Sequence, residues 1–138
     1  MASGNYIIRI TKDFVANQIY GIRKYYVTLR RDWSRGSKLI FVKKIGPLDD
    51  DAFIGSGIID KTIGLNELGD FSEKQAWIEN NYYRKIIFGK LVIFYPPLLV
   101  KDTQINAWSQ TGALLHGAQI STSEISIIEG RVNIKIIS

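Results

Sequence analysis

The twelve residues from Tyr20 to Arg31, YGIRKYYVTLRR, hold Arg23, Lys24, Arg30 and Arg31 among three tyrosines, with no acid. Trp33 and Arg35 extend the same mixture a few residues further. Guanidinium and ammonium groups neutralise phosphates, and aromatic faces stack on bases, so this combination suits a single-stranded nucleic acid. Each stacked base contributes roughly 1–3 kcal/mol. The plain alternative is a solvated strand whose tyrosines pack inward while its charges face water.

Signatures of catalysis are sparse. His116 is the only histidine, so a two-histidine metal site and an HExxH helix are both excluded. A serine–histidine–acid triad would have to use His116, and no G-x-S-x-G elbow is present. Set between Leu115 and Gly117, His116 reads better as a hydrogen-bonded structural residue. The GSG at Gly55–Gly57 lacks the spacing and the lysine of a phosphate loop. Asp49, Asp50 and Asp51 are a nominal cation site, but three consecutive carboxylates point in different directions and suit a solvated turn. The chain has no cysteine, which excludes disulfides, thiolate metal sites and a cysteine nucleophile. The expectation is a binding protein with no catalytic residue, metal ligand or cofactor.

The elements that must position these residues follow from periodicity. YIIRI (6–10) reads as a strand buried on both faces, and TKDFVANQIYG as a short helix with Thr11 as N-cap and Gly21 at its end. Arg35-Gly36-Ser37 makes a turn before a strand over 38–44. AFIGSGIIDKTI is a further strand, in which Gly55 and Gly57 mark a bulge, a bend or a close backbone approach. A helical turn or two is expected around Ser72–Glu79, with Trp77 in a packing role. YYRKIIFGKLVIFYPPLLV supplies one or two strands, with Pro96-Pro97 ending the pairing. Loop and a short helix follow around 106–121. Ser121 and Glu124 form a capping box, and RVNIKIIS closes the chain as a last strand. Many short strands with bend-forming glycines favour an α+β fold: a strongly curved sheet or pseudo-barrel with short flanking helices.

At 138 residues the chain fits a single domain over 1–138, and 46% hydrophobic with 22% charged residues is ordinary for a soluble protein. No stretch reaches the roughly 18 apolar residues of a membrane span, and LVIFYPPLLV is broken by its prolines. Nothing at the N-terminus reads as a signal peptide. A soluble, cytoplasmic protein with no membrane partner is expected, its oligomeric state open. The net charge of +5 is unevenly spread: residues 1–48 carry +8 and residues 49–80 carry −6. Such asymmetry suits an anionic partner, or two regions that face each other across the fold.

Two longer stretches carry a resemblance. YGIRKYYVTLRRDWSRGSKLIFVKK (20–44) resembles the start of the EVE-type domain, a branch of the PUA-like superfamily. That family shows an aromatic-Gly-hydrophobic segment rich in Arg, Lys and Asn, then a pGDkLvfY turn and strand. Here RGSKLIFVKK takes the last role, with Ser37 in place of the acid, and AFIGSGIID resembles the family's ivGiaeV strand. In WSQTGALLHGAQISTSEISII (108–128), Trp108, Gly117, Ile120, Ser121, Glu124 and Ile128 follow the order of the family's late tryptophan loop and terminal helix.

The resemblance implies a PUA-like pseudo-barrel that takes an extruded RNA or DNA base, plain or modified, into an aromatic pocket with a basic rim. By position, Tyr20 stands where the family often has tryptophan, Gly21 lets the backbone approach the ligand, and Arg23 and Lys24 match the basic positions that follow. Trp108 and Ser109 match the late loop. Tyr26, Arg30 and Arg31 complete the expected base- and phosphate-binding set. The chain departs from the family in having Tyr25 and Tyr26 where many EVE domains have Asn. Two further readings stand beside this one. The same pocket could serve a small-molecule sensor, or a hydrolase of a nucleoside derivative as in the related ASCH domains. The hydrolase requires a lysine and a carboxylate to converge, with Lys24 and Glu124 as candidates.

Overall fold

β-Branched and aromatic residues alternate along most of the chain, and that period of two gives a strand two usable faces. The computed structural model describes residues 4–103 and 116–137. Its strands are β1 (Tyr6–Ile10), β2 (Lys24–Val27), β3 (Lys38–Ile45), β4 (Asp50–Ile63), β5 (Arg84–Leu99) and β6 (Asn133–Ile137). Its helices are α1 (Asp13–Ile22), α2 (Phe71–Asn80) and α3 (Thr122–Glu129). The six strands form one sheet in the order β1-β3-β4-β5-β2, with β6 also pairing β5. Only β1 and β3 pair in parallel; every other ladder is antiparallel.

The sheet is covered on both faces. Tyr6, Ile8, Ile10, Leu39, Phe41, Ile59 and Phe88 turn toward a core that also takes Ile19 of α1. Their strand neighbours Ile7, Ile40, Val42 and Phe53 turn toward a second core closed by Ile125 and Ile128 of α3. β1 is therefore buried on both faces, as its unbroken apolar run predicts. This curled, mostly antiparallel sheet with three short helices is a PUA-like pseudo-barrel.

The curl comes from β4. Its register with β5 slips between Phe53 and Gly55 and again around Ile59. A Cβ at Gly55 would run into the Tyr20 hydroxyl and the Val92 carbonyl, and one at Gly57 would lie 2.7 Å from Phe88. The glycines mark a close approach and a bend, as the sequence indicates. The space at Gly55 admits Tyr20, whose hydroxyl donates to the Val92 carbonyl at 2.9 Å. Burial pushes that phenol's pKa upward.

Three expectations change. Helix α1 begins at Asp13 behind Lys12, which offers no side-chain cap, rather than at Thr11. It ends at Arg23, not Gly21. Arg23 adopts the left-handed conformation (φ 62°), while its guanidinium donates to the Gly89 carbonyl at 2.8 Å and the Ile137 carbonyl at 3.0 Å. Those bonds offset the steric cost of a non-glycine residue there. Pro96-Pro97 interrupt β5 without ending it. The register passes from Gly55↔Ile93 to Phe53↔Leu98, so both prolines lie in a bulge where no ladder N–H is required. The capping box of Ser121 and Glu124 is present as read from the sequence.

Gly55→Ala is expected to destabilise the fold by about 1–3 kcal/mol, because the added methyl group meets backbone that cannot yield. Tyr20→Phe should cost about 1 kcal/mol, the worth of one hydrogen bond. Urea unfolding of the two variants measures both.

Candidate nucleic-acid interface

The expected site residues divide into two groups. Tyr20 is packed against the first core, with its ring edge-on to Phe41. Gly21 lies exposed in the last turn of α1, with open space where its side chain would be. Arg23 spends its guanidinium on two carbonyls, and Arg31 donates to the Gly117 carbonyl at 3.2 Å. Trp108 and Ser109 lie outside the described residues. Arg30, by contrast, lines a groove between the segment that follows β2, the start of β5 and α2; Tyr26 packs against its lining rings Trp77 and Tyr82, and Lys24 acts on Glu73 beneath it.

That groove has a volume of about 660 Å³, within the range of small-ligand sites. Arg30, Trp77, Tyr82, Tyr83 and Arg84 line it, together with Asn66 and Asn81. Local sequence explains how the aromatics arrive there. Asp70 caps α2 by accepting the backbone N–H of Ser72 at 2.8 Å. At the other end Asn81 takes the left-handed conformation (φ 56°), a turn that asparagine tolerates well, and the helix stops. The chain then reverses into β5, presenting Tyr82 and Tyr83 in succession. Tyr83 is pinned to β2 by its N–H donating to the Val27 carbonyl at 2.7 Å.

Tyr82 stacks on Tyr26 with ring centres 5.2 Å apart, and Tyr26 meets Trp77 edge-on at 5.8 Å. The guanidiniums of Arg30 and Arg84 lie over the Tyr83 ring at 4.6 and 5.3 Å. Neither has an acidic partner among the described residues. A Cβ at Gly64 would stand 2.9 Å from the Arg84 guanidinium, so glycine leaves that side chain room to lie where it does.

Beneath the aromatics, Glu73 of α2 accepts from Lys85 Nζ at 2.9 Å and from the Tyr26 hydroxyl at 2.8 Å. The Lys85 and Tyr26 hydrogen bonds, with the charges of Lys85 and Lys24, hold the Glu73 carboxyl below its ordinary value. Burial, reinforced by that carboxylate, pushes the Tyr26 phenol up to about 12. The carboxylate beside Lys24 is therefore Glu73. Glu124 instead accepts the Ser121 N–H in the cap of α3, a helix that covers the second core.

Asp50, Asp51 and the histidine have partners within the fold. Asp51 pairs with Arg9 at 3.6 Å and Asp50 with Lys101 at 3.3 Å. His116 Nδ1 accepts the Arg9 backbone N–H at 3.0 Å, the structural role its sequence context suggests. Arg9–Asp51, Arg35–Asp60 and Lys24 beside Glu73 join the basic first third to the acidic middle. The charge asymmetry is thus partly internal, and Arg30 and Arg84 are the groove cations that stay outside it.

Trp77, Tyr82, Tyr83 and Arg84 were not singled out as binding residues in the sequence. For Tyr82, Tyr83 and Arg84 a signal was available in NYYRK, which carries the same two tyrosines and two basic residues as IRKYY in the reverse order. Trp33, in turn, is the turn anchor it resembles: it is buried edge-on to Tyr6 at 5.1 Å, with its indole N–H donating to the Leu29 carbonyl.

No protein-family model matches the chain, and no curated protein does. Solved structures do. The crystal structure of ASCH from Zymomonas mobilis superposes with a TM-score of 0.66 at 7% identity, covering 96% of this chain and 98% of that one. A serine-to-alanine mutant of the Zymomonas mobilis ASCH protein gives 0.64 at 8% identity, covering 95% and 98%. The likeness is one of fold, and it places this chain's architecture with ASCH domains within the PUA-like class.

Folding lowers the Glu73 pKa, so this carboxylate's contribution to stability is complete above the ordinary value of 4.5 and is lost as the pH falls below it. Wild type should lose more stability than Glu73→Gln between about pH 5 and pH 3, followed by thermal melting across that range. Glu73→Ala, which strands the buried Lys85 ammonium, should cost roughly 3 kcal/mol at neutral pH.

Proposed function

We propose that this protein is a non-catalytic nucleic-acid-binding module that holds one base of a single strand, RNA foremost, in the groove between α2, β2 and β5. The observation that carries the reading is the pair of uncompensated guanidiniums, Arg30 and Arg84, over the Tyr83 ring at the wall of an aromatic cavity. Two permanent cations at one ring with no acid beside them suit a phosphate, which a guanidinium binds through paired hydrogen bonds. Tyr82, backed by Tyr26, offers a ring face for stacking. Exposed Leu65 and Ile78 supply apolar surface that a base can cover. This site differs from the EVE-type pocket at Tyr20 and Trp108 that the sequence resemblance implies. It keeps that pocket's chemistry, aromatic faces with a basic rim, and extends it to a modified base. No helix among the described residues is long and apolar enough to cross a membrane. With no cysteine in the chain, action in the reducing cytoplasm is consistent with the reading.

A second reading is supported by Glu73. A carboxylate held between Lys85 and Tyr26, with Lys24 nearby, is the lysine–carboxylate convergence that an ASCH-like hydrolase of a nucleoside derivative would need. Both of its hydrogen bonds are made within the fold, which favours a structural role and keeps this reading second. Release of a cleaved group from acylated nucleosides, followed by chromatography, distinguishes the two. A small-molecule sensor is distinguished by salt, because a neutral ligand releases no counterions.

Fluorescence anisotropy with labelled single-stranded RNA and DNA tests the proposal. Binding should weaken steeply with salt. Arg30→Ala with Arg84→Ala should reduce affinity at least tenfold and lower the log–log salt slope by about 1.4, the share of two phosphate contacts on a single strand. An unchanged slope in the double variant would contradict the assignment.

A further inference from the structure

The groove lining is rich in donors and has no carboxylate. Arg30 and Arg84 can only donate, and so can Trp77. Trp77 is 1% exposed, and its indole N–H is buried with no acceptor. The hydroxyl of the ring packed against it, that of Tyr26, donates to Glu73. Buried donors without a partner are rare in native proteins, because each carries the full penalty of lost hydration. Trp33 needs no such account, because it donates to the Leu29 carbonyl at 2.9 Å.

We infer that Trp77 is a specificity-determining residue, and that the groove selects bases bearing a ring carbonyl, such as uracil, thymine or guanine, over adenine, which has none. The inference rests on the nucleic-acid reading of the groove. The indole N–H donates to the carbonyl oxygen, replacing an orphaned donor with a hydrogen bond formed away from water. Adenine entering by the same edge leads with its exocyclic amine, a second donor, and its ring-nitrogen acceptors lie behind that amine, so the indole N–H stays unpaired as it is in the free groove. The indole N–H is shut off from water in the free groove, so pairing with it requires the groove wall to open as the base enters edge-first. The two guanidiniums then face the flanking phosphates, so base identity and backbone charge are read by separate groups.

Anisotropy with short oligouridine, oligoinosine and oligoadenosine tests this. Inosine differs from adenosine in carrying a carbonyl where adenosine has an amine and a ring N–H where adenosine has a ring acceptor, so that pair reverses the base's hydrogen-bonding edge in an unaltered protein. Wild type should bind the uridine and inosine oligomers about tenfold more tightly than the adenosine oligomer, the worth of one well-placed hydrogen bond. Trp77→Phe keeps an aromatic ring without the donor; it should bring the three affinities together. Equal binding of inosine and adenosine by wild type overturns the inference and leaves the groove reading standing. So does a preference that survives in a folded Trp77→Phe variant. Absence of binding by every oligonucleotide overturns both.

Discussion

The groove depends on the carboxylate of Glu73. Helix α2 buries little of its own surface: its one buried residue is Trp77, and Phe71 and Ile78 face outward. An amphipathic stripe too weak to dock the helix leaves the task to a polar anchor. Glu73 provides it, joining α2 to β5 through Lys85 and to β2 through Tyr26. Lys85 is buried, so the attachment is reciprocal: the sheet needs the carboxylate to neutralise an ammonium that water cannot reach.

Several features of the site follow from that attachment. Fixing Tyr26 fixes the face on which Tyr82 stacks, and fixing α2 fixes the point at which Asn81 reverses the chain. The reversal places Tyr83 and Arg84 opposite Arg30, which arrives from the far end of the β2 segment. The curl of the sheet is organised separately, by Gly55, Tyr20 and Val92. Barrel closure and groove assembly therefore rest on different residues, so the groove can be altered without unbending the sheet.

Much of the architecture was legible in the sequence because it is written in local pattern. The two-faced strand at 6–10, the glycine-marked bend in β4, the Ser121–Glu124 cap and the helix around Trp77 all follow from periodicity or cap chemistry. The site was only half legible. Composition marked Tyr20–Arg31 as one basic-aromatic unit, but a strand turns alternate residues to opposite faces, and hydrogen bonding then divides them further. Arg23 and Arg31 are taken up by backbone carbonyls, Tyr20 by the core, and of that unit's basic and aromatic residues Arg30 alone lines the groove. Its partners come from about fifty residues later in the sequence. Nothing local links NYYRK to IRKYY; their meeting is a product of the β2–β5 ladder. The resemblance to the PUA-like class reached the fold, whereas its transfer of site residues points to Tyr20, which is packed in the core away from the groove, and to Trp108, outside the described residues.

The most direct test of the central claim is a nitrogen–proton NMR titration of the protein with a short single-stranded RNA. The account predicts that the largest shifts fall on the backbone amides of Tyr82, Tyr83 and Arg84, the indole N–H of Trp77 and the side chain of Arg30. Shifts that bypass these residues and cluster around Tyr20, Arg23 and Gly55, or on the outer face of β6, would contradict it.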